Sequence, residues 1–416
     1  MNVTRMRKFL VLHGIAAMAL VMNASFSSGL RADSPATVAV VAPGSDNQTS
    51  AVTTEKRPFD WLDSRLPVHF TLDFNSFYDD NIFIAPVKTS DYVFRISPGI
   101  NYTLGVEGES SNYLTLKYIP TIIEYYTNSQ QDAVNQNADL YYEHNFQKLR
   151  LTLEQNYQHL NDTSIQAGAI VVSNLYNTHL GAHYDYSDKL SINADVDQSL
   201  SYYPGAGYNN VYEWSGGAYF LYQVTPKISL GVGPRVGYDQ IPGQPSQTWE
   251  QGLLHLTYNV TEKVTLTASG GGEVRQFDSS ALSDQVTGVF NLGAYWTPFV
   301  GTSVSLTGYR RNAPSYSIGG TNFTATGISA GIRQNFLQDF YLGINGGYEN
   351  DAYTPASVGI TGARNDNYYY MHPYFQWTPQ KWVSLTAYYQ YSRNDSTLAP
   401  ISFNDSQVGT TISFRY

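Results

Sequence analysis

Residues 408–416 read VGTTISFRY, and this short stretch decides the fold. Apolar side chains recur at even positions, at Val408, Ile412 and Phe414, with small or polar side chains between them. Alternation with a period of two is typical of a β-strand that is apolar on one face and polar on the other. The stretch therefore predicts a two-faced strand that ends on an aromatic residue, Tyr416.

The same alternation returns throughout residues 66–416, beginning with Phe70, Leu72 and Phe74. Short turns such as residues 225–227 alternate with longer loops rich in Asp, Asn, Gly and Pro. Short periplasmic turns and longer extracellular loops are typical of bacterial outer-membrane β-barrels. We predict an all-β fold, a transmembrane antiparallel up-and-down barrel of about eighteen strands. Sixteen strands are the alternative if the weak segments 131–137 and 321–327 are not strands.

The longer loops are expected on the extracellular side. They are predicted at residues 79–90, 128–137, 161–171, 203–210, 242–248, 278–284, 312–320, 350–365 and 394–406. Residues 350–365 form the longest of them and are the expected candidate for a constriction. A soluble sandwich would bury the apolar face, whereas here aromatic residues such as Tyr92 and Tyr102 mark the two ends of a strand, as at membrane interfaces.

The composition agrees with a membrane barrel. Charged residues make up 14% of the chain, which also contains 35 tyrosines and 34 glycines. The formal net charge of −10 argues against nucleic acid as a partner, because binding to phosphate groups needs a basic surface. Cysteine is absent, which excludes disulfides and cysteine-ligated metals.

The first residues resemble a secretory signal peptide. Arg5, Arg7 and Lys8 precede an apolar stretch, residues 9–22, that is short for a membrane-spanning helix. We predict a signal peptide over residues 1–32, cleaved at about residues 27–32. Residues 33–65, rich in Ala, Val, Ser and Thr without periodicity, are predicted to be a flexible periplasmic tail before the barrel at 66–416.

Two stretches carry a family resemblance, residues 77–83 (FYDDNIF) and residues 90–100 (SDYVFRISPGI). They resemble the bacterial beta-barrel porin 2 family, whose members begin the barrel with similar segments. The resemblance implies a porin-like outer-membrane barrel. It also implies a link to exopolysaccharide export, since some members are associated with export operons. It supplies no catalytic residues.

Asp79, Asp80 and Asn81 fall at the first extracellular turn of the predicted barrel. Asp and Asn stabilise turns by local hydrogen bonds, which is the simpler interpretation. Clustered oxygens also suit a hard cation such as Ca²⁺, although the segment lacks the further ligands of an EF-hand loop. We therefore assign no metal site and no cofactor from the sequence.

The polar face of each strand is predicted to line the lumen. The charged candidates are Asp73, Arg95, Lys117, Glu143, Arg150, Glu154, Asp195, Asp197, Glu213, Arg235, Glu273, Arg275, Arg311, Arg333 and Glu349. A water-filled lumen would solvate these charges, and barrels of this size hold water. Some of them, with Arg275 and Glu273 as a candidate pair, could instead form structural ion pairs that narrow the pore. Lumen tyrosines could stack on sugars or simply pack on the wall; they include Tyr141, Tyr219, Tyr295, Tyr341, Tyr370, Tyr374 and Tyr388.

No catalytic site is predicted. His179 and His183 share a strand face, but four residues of strand separate them by roughly 13 Å, too far to bind one metal ion. Residues 270–272 (GGG) lie within a strand, where glycine allows close approach or bending rather than phosphate binding.

The sequence thus favours an outer-membrane channel for passive diffusion of small hydrophilic solutes, with saccharides among the candidates. The alternatives are a barrel component of exopolysaccharide export and a plugged structural or adhesion barrel. The expected partners are outer-membrane lipid and lipopolysaccharide, the barrel assembly machinery, and a small solute or polysaccharide. Phe414 and Tyr416 are predicted to form the C-terminal assembly signal, and no oligomeric state can be assigned.

Overall fold

The computed structural model describes residues 67–205, 207–317, 321–355 and 364–416. The predicted signal peptide and periplasmic tail lie outside these residues and remain predictions. Within the described residues, no helix has the length and apolar character needed to span a bilayer. Two short 3₁₀ turns, Ser129–Gln131 and Ala399–Ile401, are found in loops between strands.

Eighteen strands form one antiparallel sheet, in which each strand pairs with the next along the chain. They are β1 (Val68–Asp79), β2 (Asp91–Leu104), β3 (Asn112–Tyr125), β4 (Ala133–Asn145), β5 (Leu149–Ser164), β6 (Ala169–Asp185), β7 (Leu190–Tyr202), β8 (Val211–Thr225), β9 (Ile228–Gln240), β10 (Gln247–Thr261), β11 (Val264–Phe277), β12 (Gln285–Trp296), β13 (Thr302–Pro314), β14 (Thr321–Phe336), β15 (Phe340–Pro355), β16 (Asn365–Gln380), β17 (Val383–Ser396) and β18 (Phe403–Arg415).

The sheet closes on itself where β1 pairs with both β2 and β18. At this seam, Tyr416 donates a backbone hydrogen bond to Phe70 at 2.9 Å and accepts one from it at 3.1 Å. The predicted up-and-down barrel of eighteen strands is confirmed. The sixteen-strand alternative is wrong, because residues 133–137 belong to β4 and residues 321–327 belong to β14.

The outer face of the barrel is apolar. Phe74, Val196, Leu254 and Ile328 are among many large apolar side chains that are exposed on it. Two groups of aromatic rings border this apolar surface. Near one end Phe336, Phe340, Phe375 and Trp377 pack together, and near the other Tyr157, Tyr176, Tyr202, Tyr212 and Trp214 form a continuous row.

An apolar outer surface with aromatic clusters near both ends is the kind of face that an outer-membrane barrel presents to lipid. The chain is therefore a transmembrane barrel of the bacterial outer membrane. We call the end with the short turns, for example between β8 and β9, the periplasmic end, and the opposite end the outer end.

Several predicted loops are shorter in the structure than the sequence pattern indicates. The loop predicted at residues 161–171 shrinks to 165–168, because β5 extends to Ser164 and β6 begins at Ala169. β15 likewise extends to Pro355, within the loop predicted at residues 350–365. Beyond the membrane both faces of a strand meet polar surroundings, so the alternation fades although the hydrogen-bonded pairing continues.

Candidate functional site

The lumen is the candidate functional site, and its wall is built by the second face of every strand. Asp195 and Asp197 flank the exposed Val196, and Glu273 and Arg275 flank the exposed Val274. Side chains alternate along a strand, so these charged residues lie on the face opposite to the lipid. The same alternation predicts the inner face for all fifteen charged candidates. Their surroundings there differ sharply.

A half-open charge cluster lies near the middle of the wall, on β6, β7 and β9. The Arg235 guanidinium contacts Asp195 at 2.6 Å and also pairs with Asp197. The Nδ1 atom of His179 lies 2.6 Å from the second Asp197 oxygen. These side chains keep 11–33% of their surface exposed, so water reaches them. We call Arg235, Asp195, Asp197 and His179 the central cluster.

A second cluster, on β9 and β11, is closed to solvent although it also lies on the lumen face. Arg275, Asp239 and Glu273 are 1%, 0% and 1% exposed. The guanidinium donates to Asp239 at 2.6 Å and to Glu273 at 3.0 Å. We call these three residues the buried triad. The structural ion pair considered for Arg275 and Glu273 is therefore present, and this part of the lumen is filled with protein.

Neighbouring polar side chains complete the hydrogen bonding of the buried triad. Trp249 Nε1 donates to Asp239 at 3.0 Å, and Asn312 Nδ2 donates to Glu273 at 3.1 Å. Gln247 Oε1 accepts a hydrogen bond from Arg275 at 3.0 Å. Buried ions are tolerated only when their remaining hydrogen-bonding capacity is satisfied, as it is here. The triad fits a structural role better than a role in solute contact.

The lumen at the outer end is crossed by the tip of the β5–β6 hairpin. The backbone oxygen of Gln166 accepts hydrogen bonds from the Ser317 hydroxyl at 3.1 Å and from Arg364 at 2.8 Å. Its side-chain oxygen accepts from the backbone N–H of Tyr316 at 3.2 Å. Between β6 and β13 lie six strands, β7 to β12. The contacts therefore join loops from nearly opposite walls, and we call Ser164 to Gly168 with these partners the outer bridge.

Aromatic and apolar contacts reinforce the outer bridge. The Tyr316 ring stacks on Tyr203 with 4.1 Å between centroids, and its hydroxyl hydrogen-bonds to Ser164. Burial raises the pKa of Tyr316 to about 12. On the other side, Ile165 packs against Ile84 and Phe403, next to the β1–β18 seam. The bridge thus restricts the outer end from several sides.

The sequence pattern did not indicate these bridge residues. Gln166, Tyr316 and Arg364 lie outside the alternating segments, and they meet only because the barrel brings distant loops together. The constriction was expected from residues 350–365, of which residues 356–363 lie outside the described part of the chain. Among the described residues of that segment, Arg364 contributes to the bridge.

Many lumen tyrosines lie flat on the wall over glycines. Tyr374 is paired across strands with Gly343, and a Cβ atom built on that glycine would lie 2.3 Å from the ring. Tyr309 covers Gly327 in the same way, at 2.5 Å. The ring occupies the space that a side chain on the neighbouring strand would need. Wall packing, one of the two interpretations offered for the lumen tyrosines, therefore describes Tyr374 well.

The remaining candidates behave as local structure. His179 and His183 bind different partners, because His183 Nδ1 lies 2.5 Å from Asn193 whereas His179 contacts Asp197. Glycine in the 270–272 run serves close approach: a Cβ on Gly271 would lie 1.8 Å from the backbone oxygen of Gly252. The two histidines therefore do not share a ligand, and the glycine run has a structural role.

Comparison with known proteins assigns no family to the chain. No family model matches the chain, so the resemblance to the beta-barrel porin 2 family stays a prediction. No curated protein matches it either.

Solved outer-membrane proteins share the general outline. The structure of Pseudomonas aeruginosa OccK2 (OpdF) in complex with glucuronate aligns with a TM-score of 0.48 at 9% identity, covering 84% of this chain and 98% of that one. Pseudomonas aeruginosa OpdK with vanillate aligns with a TM-score of 0.46 at 10% identity, covering 84% and 99%. Acinetobacter baumannii OccAB3 gives 0.44 at 9% identity, also covering 84% and 99%. At such low scores and identities, the likeness assigns neither a family nor a solute to this chain.

Proposed function

We propose that this chain is an outer-membrane channel for passive diffusion of small hydrophilic solutes. The central cluster carries the proposal, because its charges are partly exposed to water in the interior of a lipid-embedded barrel. In a dry interior, partly paired charges of this kind would be very costly. The lumen is therefore a polar conduit at the depth of Arg235. No catalytic role is assigned to any of its residues.

The outer bridge sets the size limit in this proposal. A solute entering from outside must pass beside Gln166 and Tyr316, or these contacts must open first. Every segment of a polymer would also have to pass the outer bridge. For this reason we rank polysaccharide export, which rests on the family resemblance alone, below diffusion of small molecules.

Saccharides are our proposed solute class. Tyrosines such as Tyr370 and Tyr388, which are partly exposed, lie along the inner wall with their rings against glycines, and flat aromatic walls suit sugar rings. Swelling of liposomes that contain the purified barrel measures solute entry directly. We expect a neutral hexose to enter faster than a carboxylate of equal size. Faster entry of the carboxylate would contradict the saccharide proposal and leave the channel proposal intact.

Conductance across planar bilayers tests the channel itself. We expect small openings for the native barrel and several-fold larger openings for the double variant Gln166→Ala/Tyr316→Ala, which removes bridge contacts. The matched control is Gln130→Ala/Tyr126→Ala, which alters the same residue types in an outer loop where Tyr126 is exposed. The control should conduct like the native barrel.

The outer bridge also favours a second candidate, a plugged structural barrel. Its signature is a correctly folded protein that shows no openings, with or without the bridge substitutions. That result would overturn the channel proposal.

A further inference from the structure

The outer end of the β1–β18 seam gathers three carboxylates from the two ends of the barrel sequence. Asp79 and Asp80 come from the end of β1 and the residue after it, and Asp405 comes from β18. One carboxylate oxygen of each lies within 4.8 Å of the others. The pairing of Asp79 with Gln407 in the β1–β18 ladder holds the two strands in this register.

Two of these carboxylates are buried side by side. Asp79 is 6% exposed and Asp405 is 2% exposed. Gln407 Nε2 donates to both of them at 3.0 Å, so a single amide is shared between two acids. Like charges in such a position repel each other and are poorly solvated.

One oxygen of this group has no N–H donor. Asp79 Oδ1 accepts the backbone N–H of Asn81 at 2.7 Å, whereas the buried Asp405 Oδ1 receives no hydrogen bond from any N–H group, and the Asp405 carboxylate lies within hydrogen-bonding reach of the Asp79 carboxylate. A buried carboxylate oxygen left in this state requires a proton or a cation. This oxygen belongs to the carboxylate that approaches Asp79 and Asp80.

Nearby cations only partly balance the charge. Lys88 Nζ lies 2.6 Å from Asp80, and both side chains are about one-third exposed or less. Arg95, on the same inner face, makes its closest ion pair with Asp162 at 3.6 Å. Among the described residues, no ion pair reaches Asp79 or Asp405. Three carboxylates therefore face Lys88 and the more distant Arg95, and negative charge remains in excess.

We propose that this seam binds a divalent cation of the calcium class. Asp405 Oδ1 and one oxygen each from Asp79 and Asp80 supply hard oxygen ligands, and water completes the coordination. Asn81, which stood beside them as a candidate ligand, is excluded: its Oδ1 accepts from Ala85 and its Nδ2 donates to Asn404. The cation joins the first and last strands at the outer end, and the proposal is independent of what the lumen transports.

Calcium binding and stability test the proposal on the full folded barrel in detergent without lipopolysaccharide. After treatment with EDTA, we expect calorimetric titration with CaCl₂ to show one site and a rise in the thermal unfolding midpoint. Asp405→Asn and Asp79→Asn should each reduce calcium affinity at least tenfold. Asp395→Asn, at an exposed acid on the neighbouring strand β17, is the matched control and should bind calcium like the native protein.

The native titration decides the proposal even if a variant fails to fold. No binding heat, together with an unfolding midpoint that neither EDTA nor CaCl₂ changes, would mean that the paired acids hold a proton instead. An equal response in native protein and Asp405→Asn would place the calcium elsewhere. Either result overturns the proposal.

Discussion

At the scale of single residues, burial separates charges that the sequence pattern treats alike. Arg235 on β9 and Arg275 on β11 occupy the same kind of position on the inner face of the wall. Arg235 remains partly exposed in the central cluster, whereas Arg275 is closed in by Trp249 and Gln247. The alternation of the sequence predicts the face of a side chain. The alternation does not predict which lumen side chains are covered by other residues and which remain exposed to water.

The buried triad provides a residue-scale prediction. Arg275→Ala leaves Asp239 and Glu273 buried without their cation, which we expect to lower the free energy of unfolding by about 3–5 kcal/mol. The control is Arg393→Ala, because Arg393 forms a similar pair with Asp395 two residues away but on the exposed surface. That change should cost much less, because exposed ion pairs contribute little to stability. Denaturant titration in micelles measures both, and equal losses would argue against a structural role for the triad.

At the scale of strands, the sequence predicted most of the fold because membrane strands have two different faces. Strand β2 was predicted with nearly the observed residues, whereas β18 begins at Phe403, inside the loop predicted at residues 394–406. The hairpin of β5 and β6 was cut short, since residues 161–164 and 169–171 continue the pairing with little alternation. Backbone hydrogen bonds extend these strands beyond the membrane. The alternation of side chains does not reveal this extension.

The tyrosines lying over glycines give a prediction at the strand scale. Gly343→Ala places a methyl group inside the Tyr374 ring position and should push the ring off the wall, lowering stability by about 1–3 kcal/mol. Gly288→Ala is the matched control, because a Cβ there meets no atom within 4 Å. It should be neutral or stabilising by about 0.5–1 kcal/mol. Thermal unfolding of both variants measures the difference, and an unaffected Gly343→Ala protein would contradict the packing described for Tyr374.

At the scale of the whole molecule, the sequence predicted the closed barrel. It did not predict the outer bridge that restricts the outer end of the lumen. Eighteen strands with one apolar face leave few arrangements other than a cylinder. The contact of Gln166 with Ser317 depends on the direction in which each hairpin projects over the lumen. Loop residues have no periodic pattern from which that direction could be predicted. The seam carboxylates show the same limit, since Asp405 joins Asp79 only after the last strand meets the first.

A disulfide provides a whole-molecule prediction, because the natural chain contains no cysteine. Four strands, β1 to β4, separate β5 from β18. A Cβ on Gly168 would nevertheless lie 3.4 Å from the Cβ of Ile401, close to the span of about 3.5–4.5 Å in disulfides. We expect Gly168→Cys/Ile401→Cys to oxidise to one intramolecular disulfide, detected by mass spectrometry.

The control pair is Gly207→Cys/Ile401→Cys. Gly207 also has a positive φ, so both cysteines carry similar backbone strain, but a Cβ on Gly207 meets no atom within 4 Å. This pair should stay reduced. If both pairs oxidise equally, the hairpin tip does not hold a fixed place over the lumen.

The outer bridge has a mechanical consequence. The wall of the barrel is one sheet thick, and flattening such a cylinder into an ellipse changes its curvature without breaking hydrogen bonds between strands. The contacts of Gln166 with Ser317 and Arg364 form a chord between distant parts of the rim, so flattening must stretch or compress that chord. Lateral tension in the membrane therefore deforms the outer rim less than it would deform an unbridged cylinder.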